Sequence, residues 1–354
     1  MGDVLMKISD LLIDRKENDN RDYSYLHPSE IGGCPRALYF KATSTPENDN
    51  ISASDLFKFD VGHWLHERVQ TYCRDANVLM LDEVVSISSG ESKVAFEMVD
   101  GEFVLIDNKR IPKERIIIKG KIRDYPYIPG TKVWLEGCQR KNPWTPVEEL
   151  REGDKWYLAE VPFEWPDMHL AGHVDGLVME HGEPTVLEIK SINNKGFWYL
   201  FFDDQAKFTY QLDRPEDKKC HICGKGMKYG ENLASHLVGC HNPLGKPIKK
   251  HIIQANAYMD AMSVEKVLFW YENKDNQQIL DIIEDRDADL IKGIKNLANN
   301  LWDLIEKRKL PKKPSWANGA DCFGCYYCPF DYICWPSSDA AFEEVLKGIK
   351  NGKT

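Results

Sequence analysis

Residues 172–191 read Gly172-His173-Val174-Asp175-Gly176-Leu177-Val178-Met179-Glu180-His181-Gly182-Glu183-Pro184-Thr185-Val186-Leu187-Glu188-Ile189-Lys190-Ser191. Two β-type runs, Gly172–Glu180 and Thr185–Ser191, flank the turn-forming residues His181-Gly182-Glu183-Pro184, so the stretch reads as a hairpin. Side chains alternate across a strand, which puts Glu188 and Lys190 on one face and sends Leu187 and Ile189 into the core. A four-residue loop pairing Glu180 with Thr185 sets Asp175 opposite Lys190 and diagonal to Glu188, roughly 7–8 Å away. Two carboxylates at that spacing suit Mg²⁺ or Mn²⁺, which prefer oxygen ligands. A lysine beside such a metal can orient or deprotonate water and stabilise charge developing on a phosphate. Alone, Asp-x(n)-Glu-x-Lys is a weak signal, and an ordinary cross-strand Asp–Lys pair produces it equally well.

Outward from the hairpin the chain alternates strands and helices, which gives an α/β class. Helical spacing runs over Leu5–Lys16, over Ser29–Leu38 with Ser29 as N-cap, over Asp55–Arg74, His251–Met262 and Asp285–Lys309, and over a short closing stretch, Ser338–Lys350. Strands are expected at Asp82–Ile87, Phe103–Ile106, Arg115–Ile122, Lys132–Leu135, Trp156–Val161, Lys266–Tyr271 and Gln278–Ile283. Two pairs of polar positions lie four apart and so share a helical face: Gly62 with His66, and Gln254 with Tyr258. His66 can supply a nitrogen ligand to the same metal.

The 354 residues are 42% hydrophobic and 29% charged, enough for a sizeable core in one to three domains. Mean hydropathy is −0.48, and no apolar run is long enough to span a membrane. The first residues lack the basic-then-apolar layout of a signal peptide, so a cytoplasmic protein is expected. The net charge of −10 argues at face value against nucleic acid. Ten cysteines are many for a compartment where disulfides rarely persist, which favours metal binding.

The cysteines are not scattered. Cys325-x2-Cys328-x5-Cys334 offers three thiolates that need a fourth, supplied either by nearby Cys322 or by distant Cys34 in Gly32-Gly33-Cys34-Pro35-Arg36. Cys220-x2-Cys223-x12-His236-x4-His241 has the spacing of a two-Cys, two-His zinc finger, with Cys240 as the competing fourth ligand. Residues 214–250 hold eight basic and three acidic side chains, and Lys307-Arg308-Lys309-Leu310-Pro311-Lys312-Lys313 forms a second basic run. Phosphate contacts supply most sequence-independent affinity for nucleic acid. Lys225, Lys228, Lys249, Lys250, Lys307 and Arg308 are therefore the candidate DNA contacts. One finger reads only about three base pairs, which fits guidance of a strand better than sequence recognition.

Taken in order, Gly62…His66, Gly172-His173-Val174-Asp175-Gly176, Glu188-Ile189-Lys190 and Gln254…Tyr258 resemble the motifs of the RecB-like branch of the PD-(D/E)XK nuclease superfamily. Cys34-Pro35-Arg36 followed after these motifs by Cys-x2-Cys-x5-Cys resembles its iron–sulfur members, the CRISPR-associated RecB-like exonucleases and the AddB nuclease domain. The resemblance implies a restriction-endonuclease-like core, a central mixed sheet flanked by helices. It implies His66, Asp175 and Glu188 as Mg²⁺ or Mn²⁺ ligands, Lys190 as the catalytic lysine, and Gln254 and Tyr258 as residues holding the site and DNA. It also selects Cys34, Cys325, Cys328 and Cys334 as ligands of a [4Fe–4S] cluster fastening the two ends of the nuclease.

On this reading residues 1–77 form an N-terminal helical part and 78–165 a β-rich insertion. The core comprises 166–212 and 248–310, interrupted by a zinc-finger insertion at 213–247, and 311–354 form an iron–sulfur segment. The β-rich and zinc-finger segments depart from the family pattern. The implied activity is metal-dependent hydrolysis of DNA at single-stranded ends, in recombination, repair, phage DNA metabolism or CRISPR adaptation, with proteins of those processes as partners. A structure-specific endonuclease and a DNA-end-binding subunit are the rival readings.

Overall fold

A computed structural model of the chain describes residues 25–45, 47, 53–90, 97–99, 102–106, 109–110, 115–126, 128, 131–135, 144–146, 155–201, 245–317, 319, 323–326 and 328–335. The expected finger with Cys220, Cys223, His236, Cys240 and His241 lies outside these residues. So do Lys225, Lys228, Cys322 and the expected helices Leu5–Lys16 and Ser338–Lys350.

The chain is mixed α/β. Its helices are α1 (Pro28–Ile31), α2 (Pro35–Ala42), α3 (Ala53–Asp75), α4 (Asn194–Tyr199), α5 (Lys249–Met262), α6 (Ala288–Glu306), α7 (Phe323–Tyr326) and α8 (Asp331–Cys334). Four strands, β12 (Gly176–Glu180), β13 (Glu183–Ile192), β14 (Lys266–Asn273) and β15 (Ile279–Asp285), form a mixed sheet in that order. β13 runs parallel to β14 and antiparallel to β12. A parallel pair needs a crossover, and α5 lies in that connection.

A second sheet has the order β6-β5-β1-β9-β7-β8 and is antiparallel throughout. It is built from β1 (Glu83–Gly90), β5 (Arg115–Gly120), β6 (Asp124–Pro126), β7 (Lys132–Leu135), β8 (Trp144–Pro146) and β9 (Trp156–Leu158). Three short strands, β2 (Glu97–Val99), β3 (Glu102–Ile106) and β4 (Lys109–Arg110), pair among themselves. The expected strand Trp156–Val161 divides: after β9, Val161 opens β10 (Val161–Trp165), which pairs with β11 (Leu170–Val174) and not with the six-stranded sheet.

The hairpin differs from its sequence reading in four ways. Its turn is two residues long, because Glu180 pairs with Glu183. His181 and Gly182 both have positive φ, 50° and 84°, the backbone of a type I′ turn whose twist matches that of the strands. The shorter turn shifts the register, so that Gly176 faces Leu187 and Asp175 comes level with Glu188 instead of Lys190. The expected single strand Gly172–Glu180 also breaks at Asp175, between β11 and β12. At Gly176 an added Cβ would lie 2.7 Å from Leu79 Cδ1, so a larger residue there would displace that side chain. Finally, both faces of β13 are covered. Leu187 and Ile189 pack with Leu65 and Val69 of α3, while Val186, on the Glu188 face, packs beneath Ala255, Tyr258 and Met259 of α5.

The expected helix Ser29–Leu38 is two helices. Gly32-Gly33 ends α1, and α2 restarts with Cys34 as its N-cap and Pro35 at its first position, where a missing N–H costs nothing. α6 explains how α2 and the residues around α8 come together. Asp287 caps it by accepting a hydrogen bond from the Leu290 amide at 2.9 Å, and Ile291, Ile294, Ala298, Leu301, Trp302 and Ile305 are buried along one face. That face shares a core with Tyr39 and Phe40 of α2 and with Phe330 and Ile333 near the C-terminus. Each fully buried side chain of this size contributes about 1.5–3 kcal/mol, and the Phe40 and Phe330 rings lie 5.3 Å apart. Among the described residues no helix is long and apolar enough to cross a membrane.

Candidate functional site

Four elements converge beside the middle of β13. α3 presents His66, whose Nδ1 lies 3.1 Å from Asp175 Oδ1. Asp175 sits at the β11/β12 break, and its other oxygen accepts the Ile189 amide at 2.7 Å. On β13, Lys190 Nζ is ion-paired with Glu188, which is only 1% exposed. α5 contributes Gln254 and Tyr258, both buried, with Gln254 Nε2 donating to the Tyr258 hydroxyl at 2.7 Å. The Phe163 ring meets the Tyr258 ring edge-on at 5.2 Å.

Burial sets the electrostatics. It pushes Glu188 up to about 7, helped by the neighbouring Asp175 charge and opposed by Lys190. Burial would raise Asp175 too, but His66, Lys190 and the Ile189 amide outweigh it and hold the carboxyl below its ordinary value. For Lys190 burial disfavours the ammonium, yet Glu188 and Asp175 more than compensate, so its pKa rises. His66 follows the same pattern: burial works against its charge, and Asp175 raises it overall. Burial and the two carboxylates lift Tyr258 well above the usual phenol range, keeping its hydroxyl protonated. The set is two contacting pairs, His66 with Asp175 and Lys190 with Glu188, each acting electrostatically on the other.

Three contributors carry no motif. Gln70, fully buried, donates from Nε2 to the Asp175 carbonyl at 2.5 Å and so fixes the backbone at the strand break. Its place one turn beyond His66 was the available signal. Glu160, 3.4 Å from Lys132 Nζ, is raised by burial, with Asp175 and His66 among the charges acting on it. Glu272 is 2% exposed and ion-paired with Arg68 of α3, tying that helix to β14.

Two histidines near the site are held neutral. Burial, with Lys190 and Lys250 close by, lowers His251 to about 3, and its Nδ1 lies 2.8 Å from the Tyr271 hydroxyl. Burial and the Lys132 charge lower His173 to about 4. A depressed histidine binds its proton in the unfolded chain first, so its stabilisation is complete above about pH 6.5 and is lost as pH falls toward the folded value. Between pH 6.5 and 5 each contributes about 2 kcal/mol of acid destabilisation. Urea unfolding at pH 7 and pH 5 should show this loss, and His251→Gln should shrink it; an unchanged pH dependence in that variant contradicts the assignment.

The second gathering is of sulfur. Cys34, Cys325, Cys328 and Cys334 line one cavity together with Arg36, Lys313, Trp316 and Trp335, and none of the four is in a disulfide. Burial pushes Cys328 up to about 11, and the three neighbouring cysteines add to the effect. Of the candidate DNA contacts, Lys249 and Lys250 open α5 and are exposed. Lys250 lies close enough to Lys190 to be affected by its charge. Lys307 and Arg308 follow α6, where Lys307 Nζ pairs with Asp303 at 2.5 Å. Among the described residues no group of three or more His, Cys, Asp or Glu side chains is arranged to hold a metal ion.

No family model matches the chain, and no curated protein matches it. Among solved structures, one described as the crystal structure of SSO0001 is similar over 95% of this chain and 98% of that one, at 12% identity and a TM-score of 0.40.

Proposed function

We propose that the chain is a metal-dependent DNA exonuclease of the RecB-like PD-(D/E)XK type, hydrolysing phosphodiester bonds at single-stranded ends. The observation that carries this reading is the convergence of His66, Asp175, Glu188 and Lys190 with Gln254 and Tyr258, from four separate elements, on one buried spot. In this reading the four-stranded mixed sheet is the nuclease core, and residues 78–165 and 213–247 are insertions.

The donor chemistry fits the implied metals. Two carboxylates and an imidazole suit Mg²⁺ or Mn²⁺, and His66 and Lys190 now make the contacts with Asp175 and Glu188 that such a cation would take over. A bound divalent cation would polarise the scissile phosphate and lower the pKa of water. Lys190, released from Glu188, orients the attacking water and stabilises charge developing on the phosphoryl oxygens. Gln70 and the Ile189 amide hold Asp175 in place, and Gln254 fixes the Tyr258 hydroxyl beside the reacting group.

Cys34, Cys325, Cys328 and Cys334 would hold a structural [4Fe–4S] cluster. Zn²⁺ is assigned to Cys220, Cys223, His236 and His241, with Cys240 as the alternative to His241. DNA is the partner, reached through Lys225, Lys228, Lys249, Lys250, Lys307 and Arg308, with recombination or CRISPR-adaptation proteins around it.

The test is hydrolysis of end-labelled linear single-stranded, linear duplex and circular single-stranded DNA with Mg²⁺, Mn²⁺ or EDTA. Linear single strands should be degraded with either metal and left intact in EDTA, while circles resist. Efficient cutting of circles sinks the exonuclease reading, and cleavage unaffected by EDTA sinks metal dependence.

A further inference from the structure

The cysteine cavity is bordered by two cations and by two buried N–H groups without a hydrogen-bond partner among the described residues. Arg36 directs Nε to the Pro311 carbonyl at 2.7 Å, which fixes the plane of its guanidinium. Its Nη1 is buried and has no hydrogen-bond partner among the described residues. Trp335 lines the same cavity, and its indole Nε1 is likewise buried and unpartnered. Lys313 donates to the Cys334 carbonyl at 2.7 Å, and its ammonium lies 3.3 Å from the centre of the Trp335 ring. The positive charges of Arg36 and Lys313 both act on the Cys334 sulfur. Asp331, the one carboxylate lining the cavity among the described residues, accepts the Tyr332 amide at 2.7 Å and is ion-paired with neither cation.

Leaving buried donors unpaired is costly, and native structures seldom do so without a reason. Four thiolates around a [4Fe–4S]²⁺ core sum to a charge of −2, and burying such a charge is unfavourable unless it is compensated. One guanidinium and one ammonium balance it. Sulfide and thiolate sulfurs are acceptors of the kind that Arg36 Nη1 and Trp335 Nε1 lack. Hydrogen bonds to sulfur, net charge and solvent exposure are the means by which a protein sets the potential of such a cluster.

We infer that Arg36, Lys313 and Trp335 are positioning residues for a negatively charged, sulfur-ligated cluster, Arg36 and Lys313 neutralising its charge while Arg36 and Trp335 donate N–H groups to its sulfurs. The inference rests on the cluster reading above. It assigns the residue two places after Cys34 a role that proline-to-helix geometry alone does not require, and it makes Arg36 more than a surface cation.

Anaerobically reconstituted wild type, Arg36→Ala, Arg36→Lys and Trp335→Phe test it through iron and sulfide content, midpoint potential followed by electron paramagnetic resonance, and the rate of iron loss to a ferrous chelator. Arg36→Ala should be harder to reduce by about tenfold in the equilibrium constant, about 59 mV for a one-electron couple, and should lose iron several-fold faster. Arg36→Lys keeps the charge and should recover most of the potential. Trp335→Phe removes one donor without changing charge, and should shift the potential the same way by less. Should Arg36→Ala fail to load, Arg36→Lys and Trp335→Phe carry the test. Loaded variants matching wild type in potential and iron retention overturn the inference alone. A wild-type chain that takes up no iron overturns the cluster reading, and the inference with it.

Discussion

Lys190→Ala is expected to slow DNA hydrolysis by about 10²- to 10⁴-fold, the range lost when a positioned acid–base or charge-stabilising group is removed. The lysine is ion-paired with Glu188 on the central strand, within the electrostatic reach of Asp175. The structural consequence is small by comparison. Glu188, already pushed up to about 7 by burial, takes up a proton once the ammonium is gone, which avoids leaving an uncompensated buried charge. The variant should therefore fold, bind end-labelled single-stranded DNA in Ca²⁺ or EDTA, and fail to cut it. Single-turnover rates, binding and far-UV circular dichroism on the same preparation check all three. Hydrolysis within about threefold of wild type removes Lys190 from the mechanism. Biological function retained in a non-cutting, DNA-binding variant would make end-binding the purpose of the protein.

Cys34→Ala is expected to abolish the brown colour and the absorbance near ~400 nm that cysteine-ligated iron–sulfur clusters give, and to lower stability. The cluster would close a loop of roughly 290 residues between Cys34 and Cys325, a constraint on the unfolded chain of about 5–6 kcal/mol by loop-entropy arithmetic. Contacts among Phe40, Trp302, Phe330 and Ile333 remain, so α2 and α8 should still come together in the variant, and part of that figure survives in packing. A Tm lower by up to about 7 °C is the corresponding scale for a chain of this size. Differential scanning calorimetry and iron analysis under anaerobic conditions give both quantities. Colour retained in Cys34→Ala but lost in Cys322→Ala assigns the fourth ligand to the local cysteine.

Particular residues show how far one-dimensional reading carried. The run Val186–Ile189 announced a strand, and the apolar spacing within Asp285–Lys309 announced a helix, because strand alternation and helical periodicity are local properties of the chain. The register of the hairpin was not local. It depended on whether His181 and Gly182 would both accept positive φ, and that choice moved Asp175 from Lys190 to Glu188. Gly32-Gly33 and Pro35 divided a helix that periodicity alone joined. Gln70 offered only its place one turn beyond His66 and Glu160 no spacing rule at all, since both act through Asp175 and its surroundings, which assemble only in the folded chain.

By itself the sequence determined the kinds of element, the alternation along β13, the identity of the polar residues available for chemistry and the density of cysteines near the C-terminus. Only the tertiary structure decided which of them meet, because register, burial and long-range packing belong to no single segment. It covered the Glu188 face of β13 with α5, raised one carboxyl and lowered its neighbour, and brought Cys34 to Cys325, Cys328 and Cys334 through the core that α2 and α6 share. Desolvation is a property of the assembled interior, and so are the charges it redistributes.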